Sequence, residues 1–191
     1  MAECLYECVP MTDQESPPDS PSTSDPKPAH GRPFVPDGFL VPVELRTASF
    51  LLVPLGAEHN ASDHAAWSSS IEHILSTPGF VPGEDETDPW PHPMSLAENL
   101  ADLIEHADHF ERRLGFTYTV LDPAVDPSPG EVIGCVYIYP VKDDASLDAK
   151  VSSWVRADRR DLDVDLWRTV RDWLARDWPF ERIRYDERVS R

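Results

Sequence analysis

The sequence predicts an α/β (α+β) fold, and three observations predict it. Short β-branched and aromatic runs alternate with amphipathic stretches at helical spacing. Pro and Gly punctuate the junctions between them. The chain has 191 residues, 40% of them apolar. That is enough for one packed domain and too little for several.

The elements follow in order. Residues 1–42 carry closely spaced prolines (Pro17, Pro18, Pro21, Pro26, Pro28, Pro33, Pro36, Pro42) with serines between them. Such a segment buries too little apolar surface to offset its ordering entropy, so it reads as a disordered Pro/Ser-rich tail. The domain is expected over residues 43–191. Ser49–Leu55 predicts a first strand, stopped by Pro54 and Gly56. A helix is expected from Ser62 or Asp63 to about Ser76, with Ala66, Trp67, Ile71, Ile74 and Leu75 inward. Thr77-Pro78-Gly79 ends it. Ser95-Leu96-Ala97-Glu98 is a capping box, and Leu96, Leu100, Leu103, Ile104, Ala107, Phe110 and Leu114 recur at helical spacing behind it. Gly115 is the expected stop. Strands follow at 116–121, 131–140 and 149–156. Leu162, Leu166, Val170, Trp173 and Leu174 mark a further helix, closed by Trp178-Pro179. Phe180–Tyr185 predicts a last strand. The expected order is β-α-α-β-β-β-α-β.

Charge restricts the function classes. Seventeen Lys and Arg face 35 Asp and Glu, a net charge of −18. A general nucleic-acid or acidic-membrane binder needs a basic footprint, so neither partner is expected. No apolar run approaches the length of a membrane span. No apolar stretch follows a basic N-terminal region, and three cysteines make no disulfide framework. A reducing cytoplasm is the expected compartment. Residues 156–191 hold ten Arg and nine acidic residues. That arginine-rich end can hold an anion, or simply pair Arg with Asp on a helix surface.

The element order, together with Phe116–Leu121 (F-T-Y-T-V-L), Gly134–Pro140 (G-C-V-Y-I-Y-P), Trp154–Arg156 (W-V-R) and Trp178–Arg182 (W-P-F-E-R), resembles the Gcn5-related N-acetyltransferase (GNAT) family. It is most similar to a short GNAT-like group of actinobacterial type. The resemblance covers about residues 45–187. It implies a mixed, mostly antiparallel sheet flanked by three helices and truncated after the fifth strand. It also implies acetyl-CoA as co-substrate, with no metal. In that family the strand before the third helix receives the pantetheine arm on free backbone groups and splays from its neighbour. Ser152, Ser153, Trp154 and Val155 take that place here, with the Val155 N–H toward the developing oxyanion. A glycine-bearing loop then cradles the pyrophosphate at a helix N-terminus. Setting Arg159 on the first position of that loop puts Leu162 and Val164 on its glycines. Arg156, Arg159 and Arg160 are then the side chains left for phosphate. The family's later helix and strands, with a general acid, have no counterpart after Tyr185. Either a second subunit covers the last strand, as a homodimer, or the cleft is open.

Transfer to an amine needs an oriented thioester, an oxyanion donor and a base. The resemblance places Glu72, His73, Tyr137 and Tyr139 on the substrate side as candidate bases. Each has an ordinary reading as a surface or packing residue. Neither His106 with His109 nor His59 with Asp63 and His64 supplies three ligands with a known metal spacing, so no metal is expected. The acidic loop Glu84–Asp88 would draw a small cationic amine. Two functions follow: N-acetyl (acyl) transfer from acetyl-CoA to such an amine, or a non-catalytic ligand- or partner-binding module with a degenerate CoA site.

Overall fold

The computed structural model describes residues 33–80, 90–124 and 130–188. The strands are β1 (Leu45–Arg46), β2 (Leu51–Pro54), β3 (Phe116–Leu121), β4 (Val132–Tyr139), β5 (Ala149–Val155) and β6 (Ile183–Tyr185). The helices are α1 (Asn60–Ser68), α2 (Ile71–Leu75), α3 (Leu96–Glu111) and α4 (Asp163–Asp177). The strands form one sheet in sequence order, β1-β2-β3-β4-β5-β6. Every pair is antiparallel except β5 with β6, which is parallel because α4 crosses between them.

The five expected strands appear as β2 to β6, and β1 precedes them. The β1–β2 hairpin forms because Thr47 closes it: Phe50 N donates to Thr47 Oγ1 at 2.9 Å and Thr47 N to Phe50 O at 2.8 Å. Two residues are too short a run to show period-2 patterning.

Alternation along the strands divides the core into two layers. On one face Leu52, Tyr118, Val136, Ile138, Val151 and Val155 meet Leu166, Val170, Trp173 and Leu174 of α4. On the other, Leu51, Leu121, Cys135 and Trp154 meet Ala66 and Trp67 of α1, Ile74 of α2 and Leu103 of α3. A register shift at Val120/Leu121 lets β4 keep both faces apolar across Gly134. Gly134 is required there, since a Cβ would run into the Trp154 carbonyl oxygen.

Three local readings change in the structure. The first predicted helix is two, because Ser69 Oγ donates to the carbonyls of Ala65 (2.7 Å) and Ala66 (3.1 Å) and ends α1. The left-handed residue after α3 is Arg113, at φ 60°, not Gly115. Its guanidinium donates to the Pro36 and Phe39 carbonyls at 2.7 and 3.0 Å. Residues 33–42, grouped with the tail for their prolines, pack against the body. Val35 is 1% exposed, and Phe34 stacks on Phe180 (4.9 Å) and Phe116 (5.7 Å). Prolines suit a strap that crosses a core without joining a ladder. The capping box forms as read: Ser95 N donates to Glu98 Oε2 at 2.7 Å and Glu98 N to Ser95 Oγ at 3.2 Å.

Candidate functional site

A cavity of about 350 Å³ opens beside the β4–β5 pair, lined by Phe80, Trp90, Asp102, Glu105, His106, Tyr137 and Ser152. The helical period puts Asp102, Glu105 and His106 on one side of α3. Tyr137 and Ser152 are direct cross-strand partners, so they project together. Three rings form an apolar wall: Phe80–Trp90, Phe80–Tyr137 and Trp90–Tyr137 centroids lie 5.6, 6.3 and 6.0 Å apart. Asp102 and Glu105 share this lining with the aromatic wall, and carboxylates beside aromatic faces are groups that attract cations.

A polar network backs the cavity. His106 Nδ1 lies 2.7 Å from the Tyr139 hydroxyl and 3.0 Å from Thr117 Oγ1. The Tyr139 hydroxyl also reaches His109 Nδ1 at 3.2 Å, and His109 Nε2 lies 3.7 Å from Glu105. The network depends on Gly115, where any Cβ would strike the Tyr139 ring. Burial, and then the neighbouring His109, pushes His106 down to about 4, so it is neutral at pH 7. Burial raises the Tyr137 phenol well above its ordinary value. Tyr137 is therefore a hydrogen-bonding group at neutral pH and not an anionic base; its oxygen accepts from Trp154 Nε1 at 3.3 Å.

Deeper still, Asp63 is 5% exposed and pushed up to about 6. Burial is the main cause, and a hydrogen bond from Asn99 Nδ2 at 3.1 Å opposes it. Asn99 also receives Trp67 Nε1 at 2.7 Å, which ties α1 to α3.

A second feature adjoins the cavity. The β5–β6 ladder pairs Ala149–Val151 with Ile183–Tyr185, and no pairing continues beyond Val151 among the described residues. Arg156 N donates to Ile133 O on the β4 side. Strand alternation therefore turns the backbone groups of Ser153 and Val155 away from β4, and those of Trp154 toward it. The Ser153 and Trp154 side chains are fully buried; the Ser153 hydroxyl lies 2.6 Å from that of Tyr185. Arg188 enters the gap. Its Nη2 donates to Ser153 O, its Nε to Asp163 Oδ2 and its Nη1 to Asp186 O, each at 2.9 Å.

After β5 the chain makes a 3₁₀ turn, Ala157–Leu162, into α4. Its arginines are engaged. Arg156 pairs with Glu131 (2.5 Å) and Asp158 (2.7 Å), and Arg159 with Asp122 (3.1 Å). Arg160 is exposed, and its Nε donates to Ala157 O at 3.0 Å. Asp163 and Asp165 occupy the first turn of α4.

Of the candidate bases, Tyr137 lines the cavity, whereas Glu72 and His73 do not. Glu72 is exposed on α2. His73 belongs to the Asp163 side: burial lowers its pKa, Asp163 opposes this, and its Nε2 is buried without a hydrogen-bond partner. The acidic loop at 84–88 lies outside the described residues. Among the described residues no group of three or more His, Cys, Asp or Glu is placed to hold a metal. No helix among them is long and apolar enough to cross a membrane. Sequence reasoning placed Ser152 on the pantetheine-facing edge and weighed His106 only as a metal ligand with His109; it missed Asp102, Glu105 and Arg188. The α3 spacing of Asp102, Glu105 and His106 was the available signal.

No protein-family model matches the sequence, and no curated protein does. Solved structures do. The ribosomal-protein-S5-alanine acetyltransferase from Vibrio fischeri aligns at TM-score 0.50 and 12% identity, over 70% of this chain and 67% of that one. An acetyl transferase from Salmonella typhimurium, described as modifying the N-terminal serine of 50S ribosomal subunit protein L7/L12, aligns at 0.50 and 11%, over 72% and 70%. A GCN5-related N-acetyltransferase from Brucella melitensis aligns at 0.51 and 17%, over 84% of this chain and 62% of that one. The chain thus spans about two thirds of their lengths, and it has the GNAT fold.

Proposed function

We propose that the chain is a GNAT-type N-acyltransferase of the cytoplasm. It moves an acyl group from acetyl-CoA or another acyl-CoA to a small cationic amine. One observation carries the reading: the cavity with Asp102 and Glu105 shares Ser152 with the stretch of β5 that leaves the β6 ladder. A cationic amine in the cavity and an acyl donor along the strand edge would thus meet.

The donor's two ends fit unequally. The arm end fits, because Ser153 and Val155 turn backbone groups toward the gap. The phosphate end does not. Leu162 and Val164 stand where glycines would admit an anion, Asp163 and Asp165 crowd the helix start, and Arg156 and Arg159 are paired. Recognition therefore rests on the pantetheine arm. In the transfer the ammonium first loses one proton, the neutral nitrogen then bonds the acyl carbon, the carbon–sulfur bond breaks, and the departing thiolate takes up a second proton from the nitrogen. Asp102 and Glu105 hold the cation, the first proton goes to water, and the buried His106, pushed down to about 4, stays neutral and orients the lining through Tyr139 and Thr117.

The rival reading is a non-catalytic ligand-binding module, favoured by Arg188 lying in the gap. Thiol release from acetyl-CoA, measured with a panel of diamines, aminoglycosides and basic peptides, separates the two. Amine-dependent release that weakens with salt and is lost in Asp102→Asn/Glu105→Gln supports the enzyme. Binding of CoA without turnover on any amine supports the module. Proteins titrated across concentration by sedimentation would show whether a homodimer covers the β6 side.

A further inference from the structure

We infer that Arg188 is a latch over the acyl-donor gap, closed in this structure and displaced by the incoming arm; this rests on the acyl-CoA reading above. The side chain of Arg188 is 2% exposed, where the partnered surface arginines Arg171, Arg176 and Arg182 are 51, 63 and 60% exposed. It is buried at the point where β5 loses its strand neighbour. Its three hydrogen bonds span that point: one to the Ser153 carbonyl on β5, one to Asp163 at the start of α4, one to Asp186 in its own segment.

The chemistry makes the contact competitive. A pantetheine arm carries amide N–H groups, and the Ser153 carbonyl is the acceptor that β5 turns toward the gap. Arg188 Nη2 already supplies the donor for it. The buried guanidinium and an arm cannot share the same space. The closed contact is also imperfect: Asp163 Oδ1 is buried with no hydrogen-bond partner, so one half of the anchoring carboxylate is desolvated without compensation. Burial raises Asp163 while Arg188 opposes the rise. Finally, residues 186–188 form no helix or strand, so a few backbone torsions suffice to swing the side chain out. A ligand that binds only the open state has its apparent affinity reduced by the open fraction.

The test titrates pantetheine and CoA separately into the full chain, as wild type, Arg188→Ala and Arg188→Gln, by calorimetry. Both substitutions should tighten both ligands by a similar factor, about tenfold if the latch is closed nine-tenths of the time. If wild type binds and the variants bind equally or more weakly, the latch is overturned and the acyl-CoA reading survives. If none of the three proteins binds either ligand, the acyl-CoA reading falls and the latch with it. A second measurement needs no variant. In wild type, phenylglyoxal labelling mapped by mass spectrometry should spare Arg188 in the free protein and modify it when pantetheine is saturating. Equal labelling in both states overturns the latch even where the variants do not fold.

Discussion

Replacing Asp63 by Asn should stabilise the protein, and only above a defined pH. Asp63 is 5% exposed, and folding raises its carboxyl from 3.8 to about 6. Between those values the folded state holds a proton that the unfolded state has released. Stability therefore falls as pH rises through this window. The shift of roughly two units corresponds to about 3 kcal/mol, fully expressed above pH 6. The amide in Asp63→Asn is isosteric, never ionises, and keeps an oxygen for Asn99 Nδ2. The variant should match wild type near pH 3.5 and exceed it by up to about 3 kcal/mol at pH 8, less any cost of a weaker hydrogen bond. Urea unfolding at half-unit pH steps measures this directly. A difference that does not grow between pH 4 and 7, or a variant less stable at pH 8, would refute the reasoning. A stabilised variant that loses amine turnover would add that the buried charge is kept for the site beside it.

His106 should show the opposite sign. Its pKa falls from 6.5 to about 4 on folding, so the unfolded chain takes up a proton first, and stability is lost as pH falls from 6.5 toward 4. His106→Asn should remove about 3 kcal/mol of that acid-side loss, read from the same urea series as a flatter profile below pH 6. Gly134→Ala should be severe, about 3 kcal/mol or more, because the new methyl group meets the Trp154 backbone, which no side-chain rotation relieves. Thermal unfolding checks it, and a shift of only a degree or two would show that β4 and β5 can part.

The long elements were legible because their signals are local. Ser95 and Glu98 satisfy each other's backbone groups within one turn, and α3 forms where that motif stands. Phe116–Leu121 and the apolar run through Gly134 are buried on both faces, which their unbroken β-branched and aromatic runs signal locally. Features fixed by distant partners were not legible. The split at Ser69 depends on which carbonyls its hydroxyl captures, and the packing of Phe34 and Val35 on surfaces made far along the chain. The cavity is the extreme case. Its lining comes from five places in sequence, and Asp102, Glu105 and His106 look like an ordinary solvated helix face until Tyr137 and Ser152 are brought near.

The arginines show how composition misleads without geometry. Ten of them near one end suggested an anion to be held. Geometry matches most to carboxylates: Arg156 to Glu131 and Asp158, Arg159 to Asp122, Arg182 to Asp148, Arg188 to Asp163. The exposed pairs among these add little stability, a few tenths of a kcal/mol to about 1. Their larger effect is on recognition, since a guanidinium already bidentate to a carboxylate has few N–H groups left for phosphate. Arg156 is the clear instance, with Nε and Nη2 on Asp158 and Nη1 on Glu131. An acyl donor must then be gripped by backbone along β5 more than by charge at its phosphates. That makes Arg188, the one buried arginine among the described residues, more consequential for binding through the β5 carbonyl than the several that ring the surface.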